Sequence, residues 1–252
     1  MKKWFEISFN KVFFIALLLL IALNILAVIS NDVVVSESVK TLFVPVFLIF
    51  FFLKNKLSNF IFALFLLSSF LGDAAFVFVS NIDLEKISNF LYFISYICLI
   101  VIIISEINLL KIDKVVGVYL LLIMLINAYF LFILYSLLKT IITDSAEVLV
   151  FALKSAALIV LLFVSFAVYL TKESKLSILF LILSMCFLFS DIINYVTVYY
   201  IYDGRLVLLE NVSHALGIFF LFNYFVEFSL IKKEVKEKRT LPSENLMGLN
   251  NN

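Results

Sequence analysis

Residues 178–200 read ILFLILSMCFLFSDIINYVTVYY, and a single charge, Asp191, interrupts an otherwise apolar run. A helix needs about 20 such residues to cross ~30 Å of hydrocarbon at ~1.5 Å per residue. A surface helix of a soluble domain would show a charged face, and this stretch has none. Reading outward in both directions gives the same pattern. Apolar blocks fall at 12–30, 34–53, 59–79, 88–105, 115–138, 148–170 and 206–231. The block at 34–53 is the weakest. Its solid run starts at Thr41 and contains Pro45, and Ser36, Glu37, Ser38 and Lys40 interrupt its front.

Composition supports this reading. The chain has 252 residues, of which 65% are hydrophobic and 15% charged, against ~25% charged in soluble domains. A soluble fold of this length has too little interior for so much apolar surface. With only 5 Gly and 2 Pro, the helices are expected to be mostly unbroken. The expected fold class is all-α: a polytopic transmembrane helix bundle of about eight spans over residues 1–231. A polar tail over 232–252 is expected to be disordered. The connections are short, so any function sits within the bundle or at its mouths. The first block, preceded by Lys2 and Lys3, exceeds the ~7–15 residues of a signal-peptide core and reads as an uncleaved first span. Net charge is +1, which gives no attraction for nucleic acid. Cys98 and Cys186 lie inside apolar blocks and read as packing residues. His214 is the only histidine, which leaves no His-rich metal site, and nothing in the sequence calls for a metal or cofactor.

Two spans carry an aspartate in similar surroundings. One contains Phe62-Ala-Leu-Phe-Leu-Leu-Ser-Ser-Phe-Leu-Gly-Asp73, the other Phe180-Leu-Ile-Leu-Ser-Met-Cys-Phe-Leu-Phe-Ser-Asp191. They stand four spans apart, a weak parallel repeat, and both acids come ~20 Å from the inner end. An ionisable group at that depth costs ~2.5–3.5 kcal/mol or more unless it faces the bundle interior or water. Two at one depth therefore predict a shared polar chamber. Other polar groups fall near it: Asn24, Asn89, Tyr92, Ser95 and Tyr96, Asn194, Asn211 and His214. Lys154 either snorkels to the interface or pairs with an aspartate. Two carboxyls confined together divide their roles, one holding a proton and one ionised. A general acid beside a general base suits hydrolysis through an oxocarbenium-like cation.

The residues around these acids resemble a known family. Ser69-Phe-Leu-Gly-Asp73 is similar to the Ser-x-x-Gly-Asp signature of the YhhN family, and Phe187-Leu-Phe-Ser-Asp191 to its Phe-x-x-Ser-Asp signature. Lys40-Thr-Leu with Pro45 resembles the family's Lys-Pro-Leu at the start of span two, with Thr41 in place of the proline. The chain also departs from the family at Ser95, where members often carry a histidine, and around Asn211 and His214. The resemblance implies a lysoplasmalogenase, a hydrolase of the vinyl ether bond of lysoplasmalogens that releases a fatty aldehyde and a glycerophospho-alcohol. It implies Asp73 and Asp191 as the catalytic pair. Ser69, Gly72, Tyr92, Ser95, Lys154, Ser190, Asn194, Asn211 and His214 would form or support the pocket. The partners would be a lysophospholipid or other single-chain lipid and the lipids of the surrounding membrane.

A proton-coupled or lipid transporter, and a non-enzymatic membrane protein with a vestigial site, are the alternatives. With the N-terminus inside, the outer segments hold Lys40, Lys86, Lys139 and Arg205. The inner ones hold nearly all other Lys and Arg, including Lys232, Lys233, Lys236, Lys238 and Arg239. This asymmetry predicts cytoplasmic termini in a cytoplasmic membrane. A reporter enzyme fused after Asn252 is expected to be active on the cytoplasmic side; activity on the outer side would reverse the orientation.

Overall fold

A computed structural model describes residues 2–29, 33–54, 60–77, 82–104, 114–142 and 144–240. Nine helices account for nearly all of them, and no strand occurs among the described residues. They are α1 (Lys2–Ile29), α2 (Val33–Thr41), α3 (Phe43–Lys54), α4 (Phe60–Val77), α5 (Ile82–Ile104), α6 (Lys114–Ile141), α7 (Ser145–Lys172), α8 (Lys175–Tyr199) and α9 (Gly204–Thr240). Helices satisfy their own backbone groups, which is what hydrocarbon surroundings demand. Six stretches are long and apolar enough to cross a membrane: Lys11–Ile29, Glu85–Ile104, Lys114–Ile141, Ser145–Lys172, Lys175–Tyr199 and Gly204–Ile231. The protein is thus an all-α chain with the helices of a multi-pass membrane protein.

The blocks at 34–53 and 59–79 give shorter apolar helices, Ser38–Phe50 and Phe60–Ala75. The first is not one helix. It breaks at Leu42 into α2 and α3, because Pro45 has no N–H to give the Thr41 carbonyl and its ring crowds that turn. The chain bridges the break with Leu42 N–H to Val39 O and Val46 N–H to Leu42 O, both 3.1 Å. At the other end of the chain, α9 continues past Ile231 through Thr240. The segment read as a tail therefore starts in helix, and residues 241–252 lie outside those described.

The helices close into a ring. Helix α4 packs on α5, α5 on α7, α7 on α8, and α8 on α9; α1 and α3 pack on α9, and α2 and α3 return to α4. Helix α6 stands outside the ring against α7, and among its described residues only Leu120 and Leu138 are buried. One half of the ring is filled by aromatic side chains. Phe13 stacks on Phe222 at 4.1 Å, Phe62 lies 3.6 Å from Phe225, and Phe47 meets Phe13, Phe62 and Phe222 edge-on. Asp73 lies about three turns after Phe62 on α4, and Glu210 about three turns before Phe222 on α9, both outside this layer.

The turns are set by capping residues. Ser174 and Ser177 form a reciprocal capping box at the start of α8. Asp144 caps α7 by accepting from Ala146 N–H at 2.9 Å, and Lys86 of α5 pairs with it. The Lys86 hydrogen bond, with that of Ala146, holds the Asp144 carboxyl below its usual range. This cap contributes above the unfolded carboxyl pKa and is lost as pH falls through the lowered value.

Helices α8 and α9 approach closely at Gly217. A Cβ there would lie 2.8 Å from Phe187 Cε1, inside contact distance. Gly217→Ala is expected to destabilise the protein by ~1–3 kcal/mol through overpacking, despite alanine's better helix propensity. The unfolding midpoint in detergent measures this, and an unchanged or raised midpoint would contradict it.

Candidate functional site: a charged chamber inside the ring

The Ser-x-x-Gly-Asp segment places Asp73 on the inward face of α4, 3% exposed. Gly72 has a packing reason. A Cβ there would meet the Tyr92 ring at 3.3 Å, so glycine lets α5 lie close enough for Tyr92 to reach the acid. The Tyr92 hydroxyl donates to Asp73 Oδ1. Ser88 donates to the Gly72 carbonyl at 2.8 Å, and Thr41 to the Asp73 carbonyl at 3.3 Å. The second carboxyl oxygen, Oδ2, faces His214 Nε2 of α9 at 4.0 Å.

Asp191 sits on α8 with Lys154 Nζ of α7 2.6 Å from its Oδ1. The lysine does not snorkel. It is 2% exposed, and its ammonium lies 5.3 Å from the Phe151 ring and 6.0 Å from the Tyr92 ring, where the ring faces add to its stabilisation.

Both aspartates line one chamber of about 30 Å³, room for a water or two. Ser88, Asn89, Tyr92, Tyr96, Lys154, Ser190, Asn194 and His214 share its wall. So do Lys40 and Glu210, which pair with each other across α2 and α9. Sequence reasoning missed this second pair. Lys40 reads as an outer-segment lysine ahead of span two, and Glu210 as a residue at the start of the last span. The available signal was spacing, since Glu210 is one turn before His214 and so shares its face. Among the described residues the chamber holds three carboxyls and two lysines. A proton on one of the remaining groups restores neutrality, which a low-dielectric interior favours.

Other expected pocket residues have structural roles. Asn211 donates to Asn24 Oδ1 of α1 at 3.0 Å and ties α9 to α1. Ser190 lines the chamber, but its hydroxyl goes to the Glu210 carbonyl at 3.2 Å and joins α8 to α9. Ser69 is buried one turn before Asp73 and Ser95 is buried on α5; neither is on the chamber wall. Among the described residues, the Ser95 hydroxyl and His214 Nε2 have no hydrogen-bond partner.

The arrangement offers proton donors and acceptors around a water-sized space, held from α2, α4, α5, α7, α8 and α9. Lys154→Met would strand the Asp191 carboxylate, and removing one partner of a buried pair costs ~3–5 kcal/mol. The unfolding midpoint of Lys154→Met is expected to fall accordingly. The double variant Lys154→Met/Asp191→Asn is expected to recover most of the loss. Equal losses in single and double variants would refute the coupling.

Compared with models of protein families, with curated proteins and with solved structures, the chain shows no match.

Proposed function

We propose that this protein is a membrane-embedded lipid hydrolase of the lysoplasmalogenase kind, cleaving the vinyl ether bond of a lysoplasmalogen by aspartate acid–base catalysis. The observation that carries the reading is the meeting of Asp73 and Asp191, each from its own signature segment, on one water-sized chamber. In this reading the chain spans the cytoplasmic membrane eight times with both termini inside. The broken α2–α3 rod and α4 serve as its second and third spans, and the chain belongs with the YhhN proteins.

The chemistry needs two proton-transfer groups and one water. One carboxyl gives its proton to the distal vinyl carbon, leaving an oxocarbenium ion at the carbon bonded to oxygen. The other carboxyl takes a proton from water as its oxygen bonds to that carbon. In the resulting hemiacetal the first carboxyl takes back the hydroxyl proton while the second gives its proton to the glycerol oxygen, and the bond from carbon to that oxygen breaks. A fatty aldehyde and a glycerophospho-alcohol leave, with one water consumed. A carboxylate beside the cationic carbon also stabilises the developing charge. The 4.0 Å gap between Asp73 Oδ2 and His214 Nε2 is wide for a direct hydrogen bond and of the size that a bridging water fills.

A second reading has one observation in its favour. The helix break at Leu42 lies beside Lys40, which reaches the chamber, and interrupted helices beside buried charges are a trait of transporters. Proton uptake into proteoliposomes driven by a substrate gradient would support it.

The hydrolase reading predicts that the purified protein releases aldehyde from lysoplasmalogen. Asp73→Asn and Asp191→Asn should each lower the rate ~10²–10⁴-fold, the usual contribution of a positioned acid or base. Failure of the wild type on any vinyl ether lipid would refute the substrate. Unimpaired variants would refute the assigned roles and leave the site vestigial.

A further inference from the structure

A second cavity of about 300 Å³ opens between α6, α7 and α8. Its walls are almost wholly apolar. Phe151 and Leu158 of α7 form a buried floor, and Phe130 of α6 and Ile192 of α8 form an exposed rim. At the α6–α7 turn it is closed by packing of Leu138, Val148, Phe151 and Tyr195. Asp191 lines this cavity and the charged chamber alike. Among the described residues it is the only acid on the apolar wall, and its side chain is 12% exposed against 1% for Asp73.

The dimensions fix what fits. The lining residues of α7 run from Phe151 to Ile159, ~12 Å along the axis. Over that length the slot has room for an extended alkyl chain lying along the helices. Water gains little there, since apolar cavities of ~150 Å³ already stay dry and take up benzene. Because α6 stands outside the ring, the rim faces the hydrocarbon of the bilayer.

We propose that the slot between α6, α7 and α8 binds an unbranched alkyl chain of a lipid, admitted sideways between Phe130 and Ile192, with the head-group end of the chain at Asp191. Which bond meets Asp191 rests on the hydrolase reading; occupancy of the slot by a chain does not. The scissile bond then lies where the dry slot meets the wet chamber, with carbons on one side and water on the other.

The test uses the full chain in nanodiscs and a lysophospholipid bearing a diazirine in the middle of its chain. After illumination, mass spectrometry is expected to find label concentrated on Leu158, Ile159 and Leu188. An excess of unlabelled lysophospholipid should compete the label away. Leu188→Trp within the slot and Ile192→Trp at its rim should each cut floor labelling about tenfold. Leu121→Trp, on the exposed face of α6 away from the slot, should leave it unchanged. Label spread over the outer apolar faces without enrichment on the floor would overturn the proposal, as would undiminished labelling in both slot variants. Floor labelling without aldehyde release would keep the slot and reject the hydrolase. Aldehyde release without floor labelling would do the reverse.

Discussion

The structure depends on one constraint: charges carried into hydrocarbon must be balanced where they stand. Lys154 and Asp191 balance across α7 and α8, and Lys40 and Glu210 across α2 and α9. The Tyr92 hydroxyl joins α5 to α4 at Asp73. Apolar side chains cannot fix the register of these helices by burial alone, because lipid tails are as apolar as their neighbours. A slip of one residue would leave a lysine or a carboxylate facing hydrocarbon. The polar contacts therefore set the angular position of six helices, and Phe layers and close approaches such as Gly217 fill in around them.

How far the sequence foretold this varies by residue. Asp73, Asp191 and Lys154 stand out because a charge inside an apolar run has few places to go. Tyr92, Asn194 and His214 follow from helical spacing. Lys40 and Glu210 were hidden because each lies near the end of an apolar block, where a charge is ordinary. Only the tilt and breakage of the helices bring them inward. The break in the second apolar block was hidden for a related reason. Hydropathy registers the apolar run at 41–53 but not the hydrogen bond that Pro45 withholds from Thr41. Asn211 shows the converse, a polar residue expected in the pocket that is bonded to Asn24 of a neighbouring helix. A small polar side chain in a membrane helix is as readily satisfied by its own turn or by a neighbouring helix as by a ligand, and spacing alone does not separate these fates.

The charged chamber and the apolar slot gain meaning from their adjacency. A chamber of about 30 Å³ is far smaller than a phosphoglycerol head group, and a slot lined with Phe and Leu has no use for water. The two spaces meet at Asp191, and the peripheral placement of α6 makes room for the slot without opening the ring.

The aromatic layer of Phe13, Phe47, Phe62, Phe222 and Phe225 has a different consequence. It closes one half of the ring with stacked rings and leaves the charges in the other half. On that side Asp73 and Asp191 are separated from solvent by a dry layer of rings, and a charge crossing it would lose its hydration with nothing polar to replace it.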